Sequence, residues 1–173
     1  MWTMSPNTSL ATVIESASSR MVRDEKWGHV VYRATLDLTG ATEVASEVGS
    51  GHSFIVDEPV SFGGGNGGPG PVEYALAALG SCQAITYQFW AAHLGVAVDA
   101  VHIVVEGDLD LRGFFGVREG VRPGLGAVRV HVELRGPESP ERYEELAAAV
   151  DEHCPVLDIF TGTVAVERTL TVS

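Results

Sequence analysis

The stretch Gly68-Pro69-Gly70-Pro71-Val72-Glu73-Tyr74-Ala75-Leu76-Ala77-Ala78-Leu79-Gly80-Ser81-Cys82-Gln83 opens the longest apolar run of this chain. Pro71 suits the first position of a helix, where its missing N–H leaves no bond unmade. From there to about Leu94 the residues stay apolar, with Leu76, Leu79, Ile85, Tyr87, Phe89, Trp90 and Leu94 separated by alanines and few charges. At ~1.5 Å per residue such a helix is ~36 Å long. A helix apolar nearly all round must be buried on most sides. One layer of sheet in a chain of 173 residues covers only one side. A second copy of the chain is therefore expected on the other.

Upstream, Gly63-Gly64-Gly65-Asn66-Gly67-Gly68-Pro69-Gly70 lacks both a following Lys-Ser/Thr and Rossmann spacing, so it reads as a flexible connector rather than a phosphate cradle. Before it come three strand-like segments, 30–36, 42–48 and 53–56, the first two flanking a turn at Thr39-Gly40. Residues 7–24 place Leu10, Val13, Ile14 and Met21 at helical spacing. Downstream, 101–111 and 127–134 alternate as strands, with a loop between them at Gly113-Phe114-Phe115-Gly116 and Arg122-Pro123-Gly124. Ser139 and Pro140 start a second helix that runs to about His153, and 163–170 is expected to be a last strand. The order predicts an α+β domain over 28–173, preceded by a helical extension over 1–27.

Composition narrows the function. A formal charge of −12 argues against nucleic-acid backbones and anionic membrane surfaces as partners. No run reaches the ~18 apolar residues of a membrane span. The start, Met1-Trp2-Thr3-Met4-Ser5-Pro6, has neither a basic region nor an apolar core, so a cytoplasmic location is expected. There a lasting structural disulfide is unusual, and paired thiols point to catalysis or metal binding.

The chain has two cysteines. Cys82 sits inside the apolar helix and Cys154 at the end of the acidic, alanine-rich one, just before Pro155. One could attack and the other resolve, forming a dithiol redox centre. Taken alone, Cys82 reads as a small core residue. Cys154, at the head of a short helix, has the setting that favours a thiolate. Glu73 reads by default as an exposed acid at the positive end of its helix. His52, His93 and His153 match no compact zinc spacing. Trp27, Trp90, Phe114 and Phe115 are expected in the core or in a pocket wall.

Together these residues carry a resemblance. Gly68-Pro69-Gly70-Pro71-Val72-Glu73 leading into Ala77-Ala78-Leu79-Gly80-Ser81-Cys82, with Cys154-Pro155-Val156 downstream, resembles the OsmC/Ohr family of thiol peroxidases acting on organic hydroperoxides. Ser50-Gly51-His52, Asp57-Glu58-Pro59 and Glu106-Gly107-Asp108-Leu109-Asp110-Leu111-Arg112-Gly113 look like its OsmC-like branch, and the likeness spans roughly 28–172. It implies an OsmC-like fold: an intertwined homodimer with two long central helices, antiparallel sheets wrapping them, and active sites at the interface. It also implies the chemistry. Cys82 attacks the hydroperoxide and becomes a sulfenic acid, Cys154 condenses with it to a disulfide, and a dithiol reductant, lipoyl-linked in relatives, resets the pair without a cofactor or metal.

Two departures follow. Peroxidase members carry a catalytic glutamate ten residues before the first cysteine, and here that position is Val72. Glu73, nine before, falls about 180° around a regular helix from Cys82. The family also keeps an arginine near the thiolate, yet no Lys or Arg lies between Ala34 and Leu111. The cation must come from Arg20, Arg23, Arg33, Arg112 or a neighbouring subunit, and Arg33, on a strand preceding the cysteine helix, is the choice. The rival reading is a non-catalytic member that binds an apolar ligand or electrophile at the same interface pocket. A third makes both thiols structural.

Overall fold

In the computed structural model, residues 8–172 are described; residues 1–7 of the expected N-terminal extension, and Ser173, lie outside them. Helix α1 runs Thr8–Arg23 and strands β1, β2 and β3 run Ala34–Leu38, Val44–Val48 and Ser53–Val56. Then come α2 (Pro71–Leu94), β4 (Ala100–Leu109), α3 (Leu111–Phe114), β5 (Leu125–Arg135), α4 (Pro140–His153) and α5 (Pro155–Thr161). The architecture is α+β with two antiparallel sheets, β1-β2-β3 and β4-β5.

Helix α2 begins and ends where its sequence directs. Pro71 takes the first turn, and the Glu73 carboxylate accepts the Gly70 N–H at 2.8 Å, which satisfies a donor the helix itself cannot. At the other end Gly95 adopts the left-handed conformation (φ 65°) and returns its N–H to the Ala91 carbonyl. Gly80 allows a close approach to β4, since a Cβ there would lie 3.1 Å from Val105 Cγ2.

The core gathers on one side of α2. Tyr87 and Ala91 pack with Val96 and with Leu146 and Val150 of α4, and Ile103 and Val132 of the two-stranded sheet close over them. The opposite side is uncovered: Ile85 is 59% exposed and Phe89 is also exposed. One chain therefore buries only part of a helix apolar all round.

Several expectations need correction. Residues 163–170 form no strand; Val164, Val166 and Leu170 are all exposed. The first strand starts at Ala34 rather than Val30, leaving Val30, Val31 and Tyr32 exposed outside the sheet. Both segments have strand-like composition, but a strand exists only where a neighbour takes its backbone hydrogen bonds. The loop expected at 113–116 is in part helical, with Asp110 accepting the Arg112 N–H at the start of α3. Phe114 and Phe115 are exposed rather than core. Trp27 is exposed as well, lining a shallow groove of α1 with Arg20 stacked 4.7 Å above its ring.

The glycine stretch is not a loose connector. Asp57, 2% exposed, accepts hydrogen bonds from Gly65 N (2.9 Å), Gly67 N (2.9 Å), Glu58 N (2.8 Å) and Thr42 Oγ1 (2.6 Å). Four donors on one buried carboxylate hold the loop in a single course.

Candidate thiol site

Leu146 and Val150 lie one turn apart on one face of α4, with Cys154 just past its end; all three are buried, and that face lies on α2. The facing residues of α2 include Gln83, Thr86 and Tyr87. Gln83 Nε2 reaches Asp151 Oδ1 at 3.4 Å across the helix pair. In this way helix packing carries Cys154 to Cys82, although the two lie far apart in the chain.

Both cysteines are free thiols; Cys82 is half-buried and Cys154 is 2% exposed. Cys154 ends α4 and caps α5, its extended backbone (φ −81°, ψ 109°) turning the chain between them. Asp158 N donates to its carbonyl at 3.1 Å. The turn brings the Val156 N–H, the first amide of α5, to Cys82, where it lowers the pKa of the thiol. The Thr86 hydroxyl, which donates to the Cys82 carbonyl at 2.8 Å, also lies against that sulfur.

These neighbours pull the Cys82 thiol in opposite directions. Burial is the largest influence and raises its pKa, because a thiolate loses its hydration. The Val156 N–H opposes this by bonding the charged form, as the Thr86 hydroxyl does to a smaller degree when it turns from the Cys82 carbonyl to the sulfur, while the adjacent Cys154 thiol adds to the rise. The net shift is upward. Two adjoining thiols can exchange with a disulfide or condense through a sulfenic acid.

The other expected site residues lie elsewhere. Glu73 is occupied in capping α2 and lines a groove of about 570 Å³ with Leu76, Ala77, Gly80, Ala84 and Val105. That groove is on the face of α2 turned away from Cys82, as the helical angle implies. Arg33 is exposed just before β1, its carbonyl accepting Gly49 N at 2.9 Å, and no arginine is among the described groups that act on the Cys82 thiol. Arg112 pairs with Asp110 at 2.6 Å and Arg20 stacks on Trp27. His153 Nδ1 donates to the Ala149 carbonyl at 2.8 Å, and its ring packs 4.1 Å from Trp90, which His93 meets edge-on. Among the described residues no three metal-type ligands converge.

Sequence reasoning missed Thr86 and the Val156 amide. Thr86, four residues after Cys82, was visible as the next residue on its helix face. Val156 carried no such signal, because its role depends on where α5 is docked.

The family model of OsmC-like proteins matches residues 63–168. Among solved structures, the OsmC-like protein from Mycoplasma pneumoniae superposes with a TM-score of 0.67 at 19% identity, over 77% of this chain and 89% of that one. The organic hydroperoxide resistance protein OsmC from Legionella pneumophila gives 0.59 at 19% identity, over 77% and 90%. An organic hydroperoxide resistance protein from Elizabethkingia anophelis gives 0.59 at 18%, over 78% and 90%. These likenesses are of fold. No curated protein matches the chain in sequence.

Proposed function

This chain belongs to the OsmC-like protein family, and from that premise we propose that it reduces organic hydroperoxides to alcohols through Cys82 and Cys154. The observation that supports this most is the meeting of the two cysteines across separate helices, with the Val156 amide directed at the Cys82 sulfur.

The reaction balances without a metal or cofactor. The Cys82 thiolate attacks the distal oxygen of ROOH; the O–O bond breaks, RO⁻ takes a proton and leaves as alcohol, and Cys82 becomes a sulfenic acid. Cys154 sulfur then attacks the Cys82 sulfur, forming the disulfide and releasing water. An external dithiol, lipoyl-linked by analogy with the family, reduces the disulfide by exchange. The half-buried, largely apolar setting of Cys82 suits an apolar hydroperoxide. The working form is a homodimer: a second copy would cover Ile85 and Phe89 and give strand partners to 163–170. The place of action is the cytoplasm, where both thiols stay reduced between turnovers. No described helix is long and apolar enough to cross a membrane.

The raised Cys82 pKa supports a second reading, a non-catalytic protein that holds an apolar ligand or electrophile at the interface. Intact mass after brief exposure of the reduced protein to one equivalent of cumene hydroperoxide separates the two. Peroxidase chemistry predicts the loss of about 2 Da in wild type, and a trappable sulfenic acid on Cys82 in Cys154→Ser. Unchanged mass over minutes, with both thiols titratable after unfolding, would leave the binding protein as the better account.

A further inference from the structure

Asn66 precedes Gly67 in the loop that Asp57 gathers; the chain's other asparagine, Asn7, precedes a threonine. An asparagine followed by glycine is open to a reaction of its own backbone. The next amide nitrogen attacks the side-chain carbonyl carbon, ammonia leaves as the new C–N bond closes a cyclic imide, and water opens the ring to aspartate or isoaspartate. Glycine permits the closure because it has no Cβ to obstruct the turn of the chain. Asn66 is exposed, so water reaches it. The nucleophile of this reaction is the Gly67 nitrogen, and in the folded chain it is engaged: its N–H donates to Asp57 Oδ2 at 2.9 Å. The loop is fixed on both sides of that bond. Asn66 has a left-handed backbone (φ 56°), and its own N–H donates to the Glu58 carbonyl at 3.1 Å. The Gly65 N–H donates to the same Asp57 oxygen at 2.9 Å. Gly68 sits tight against β3, where a Cβ would lie 2.2 Å from the Ile55 carbonyl oxygen.

We propose that Asn66 is a site of spontaneous deamidation and that the Asp57 carboxylate is the catch that holds it latent. Ring closure requires the Gly67 nitrogen to turn toward the Asn66 side chain and to release its proton, and the bond to Asp57 opposes both. A carboxylate beside a reacting amide can also act as a general base and hasten the reaction. The Thr42 hydroxyl, followed by the Gly67 amide, holds Asp57 at about 2, which makes it a poor base at neutral pH. Its charge also disfavours the negative charge that builds as the ring closes. Either product then loosens the course from β3 into α2. Isoaspartate lengthens the backbone by one methylene, so Gly67 and Gly68 no longer meet Asp57 and Ile55 together. Aspartate adds a carboxylate beside Asp57 and Glu43, whose Oε2 lies 3.5 Å from the place of a Cβ on Gly67. Loss of ammonia makes the change one-way. Neither thiol takes part, so the proposal stands apart from the peroxidase reading.

The test incubates the full chain, as wild type, Asp57→Asn and Thr42→Val, at neutral pH beside a synthetic peptide of residues 61–72. Digestion and mass spectrometry then read the amide-to-acid change at Asn66. Because a hydrogen bond to a carboxylate must open first, folded wild type should react about tenfold or more slower than the peptide. Asp57→Asn should approach the peptide's rate. Thr42→Val, which keeps the carboxylate and removes one of its donors, should fall between them, and it serves if Asp57→Asn does not fold. Equal rates in folded wild type and peptide would overturn the catch. So would slower reaction in a folded Asp57→Asn, the mark of a general base. An Asn66 that stays intact in every folded form while the peptide reacts would overturn the site itself. The more acidic product, separated by anion exchange, should exchange its Gly65 and Gly67 amides faster than the unmodified chain; equal protection would refute the loosening.

Discussion

Replacing Leu146 with alanine tests whether α4 is seated on α2 as described. Leu146 is fully buried and packs with Tyr87, Ala91, Val96 and Val150. Truncation removes three carbons; at ~0.8 kcal/mol each the lost transfer free energy is ~2.4 kcal/mol. The surrounding helices are held by their own contacts, so part of the space stays open and raises the cost toward ~4 kcal/mol. Urea unfolding followed by circular dichroism, at one protein concentration, should show a lower midpoint with an unchanged slope. A loss below ~1 kcal/mol would refute the reasoning, since it would mean that Leu146 is not in a closed core. The route by which α4 delivers Cys154 would fall with it.

Two further outcomes follow from the glycine loop. The Thr42 hydroxyl, followed by the Gly67 amide, holds the Asp57 carboxyl down from 3.8 to about 2 against the opposing effect of burial. A carboxylate depressed in the folded state adds stability above its unfolded pKa and loses it as pH falls through the folded one. Amide exchange at Gly65 and Gly67 should therefore accelerate, beyond its intrinsic pH dependence, between pH 3.8 and about 2; the same protection at both ends of that window would contradict the assignment. Gly68→Ala, forced onto the Ile55 carbonyl, should cost ~2 kcal/mol or more in thermal or urea unfolding. Gly126→Ala, whose nearest neighbour would be 3.8 Å away, should stay within ~0.5 kcal/mol.

Much of the architecture was legible because its signals are local. Pro71, Glu73 and Gly95 bound α2 through chemistry within a turn of each end, and the alternation at 101–111 and 127–134 gave β4 and β5. What escaped was non-local. The glycine stretch has the composition of a flexible linker, and it is ordered by distant partners: the Asp57 oxygens meet amides eight and ten residues later, and the Glu58 carbonyl accepts the Asn66 N–H. Residues 163–170 alternate as a strand should, but they pair with no strand among the described residues. At the candidate site both cysteines were visible as motifs. The angle that places Glu73 across the helix from Cys82 was also readable, since it depends only on residue count. The Val156 amide was not, because its place follows from the packing of two helices that adjoin at Cys154.

The donors at Cys82 have a consequence for its response to salt. An amide and a hydroxyl hydrogen bond are short-range and carry no net charge, so dissolved ions leave them nearly untouched. A guanidinium supplied by a second copy would act partly through solvent, where ~0.1 M salt screens charges beyond about 10 Å. Added electrolyte thus divides the reactivity of this sulfur into two shares: the share owed to Val156 and Thr86 persists, and the share owed to any cation fades.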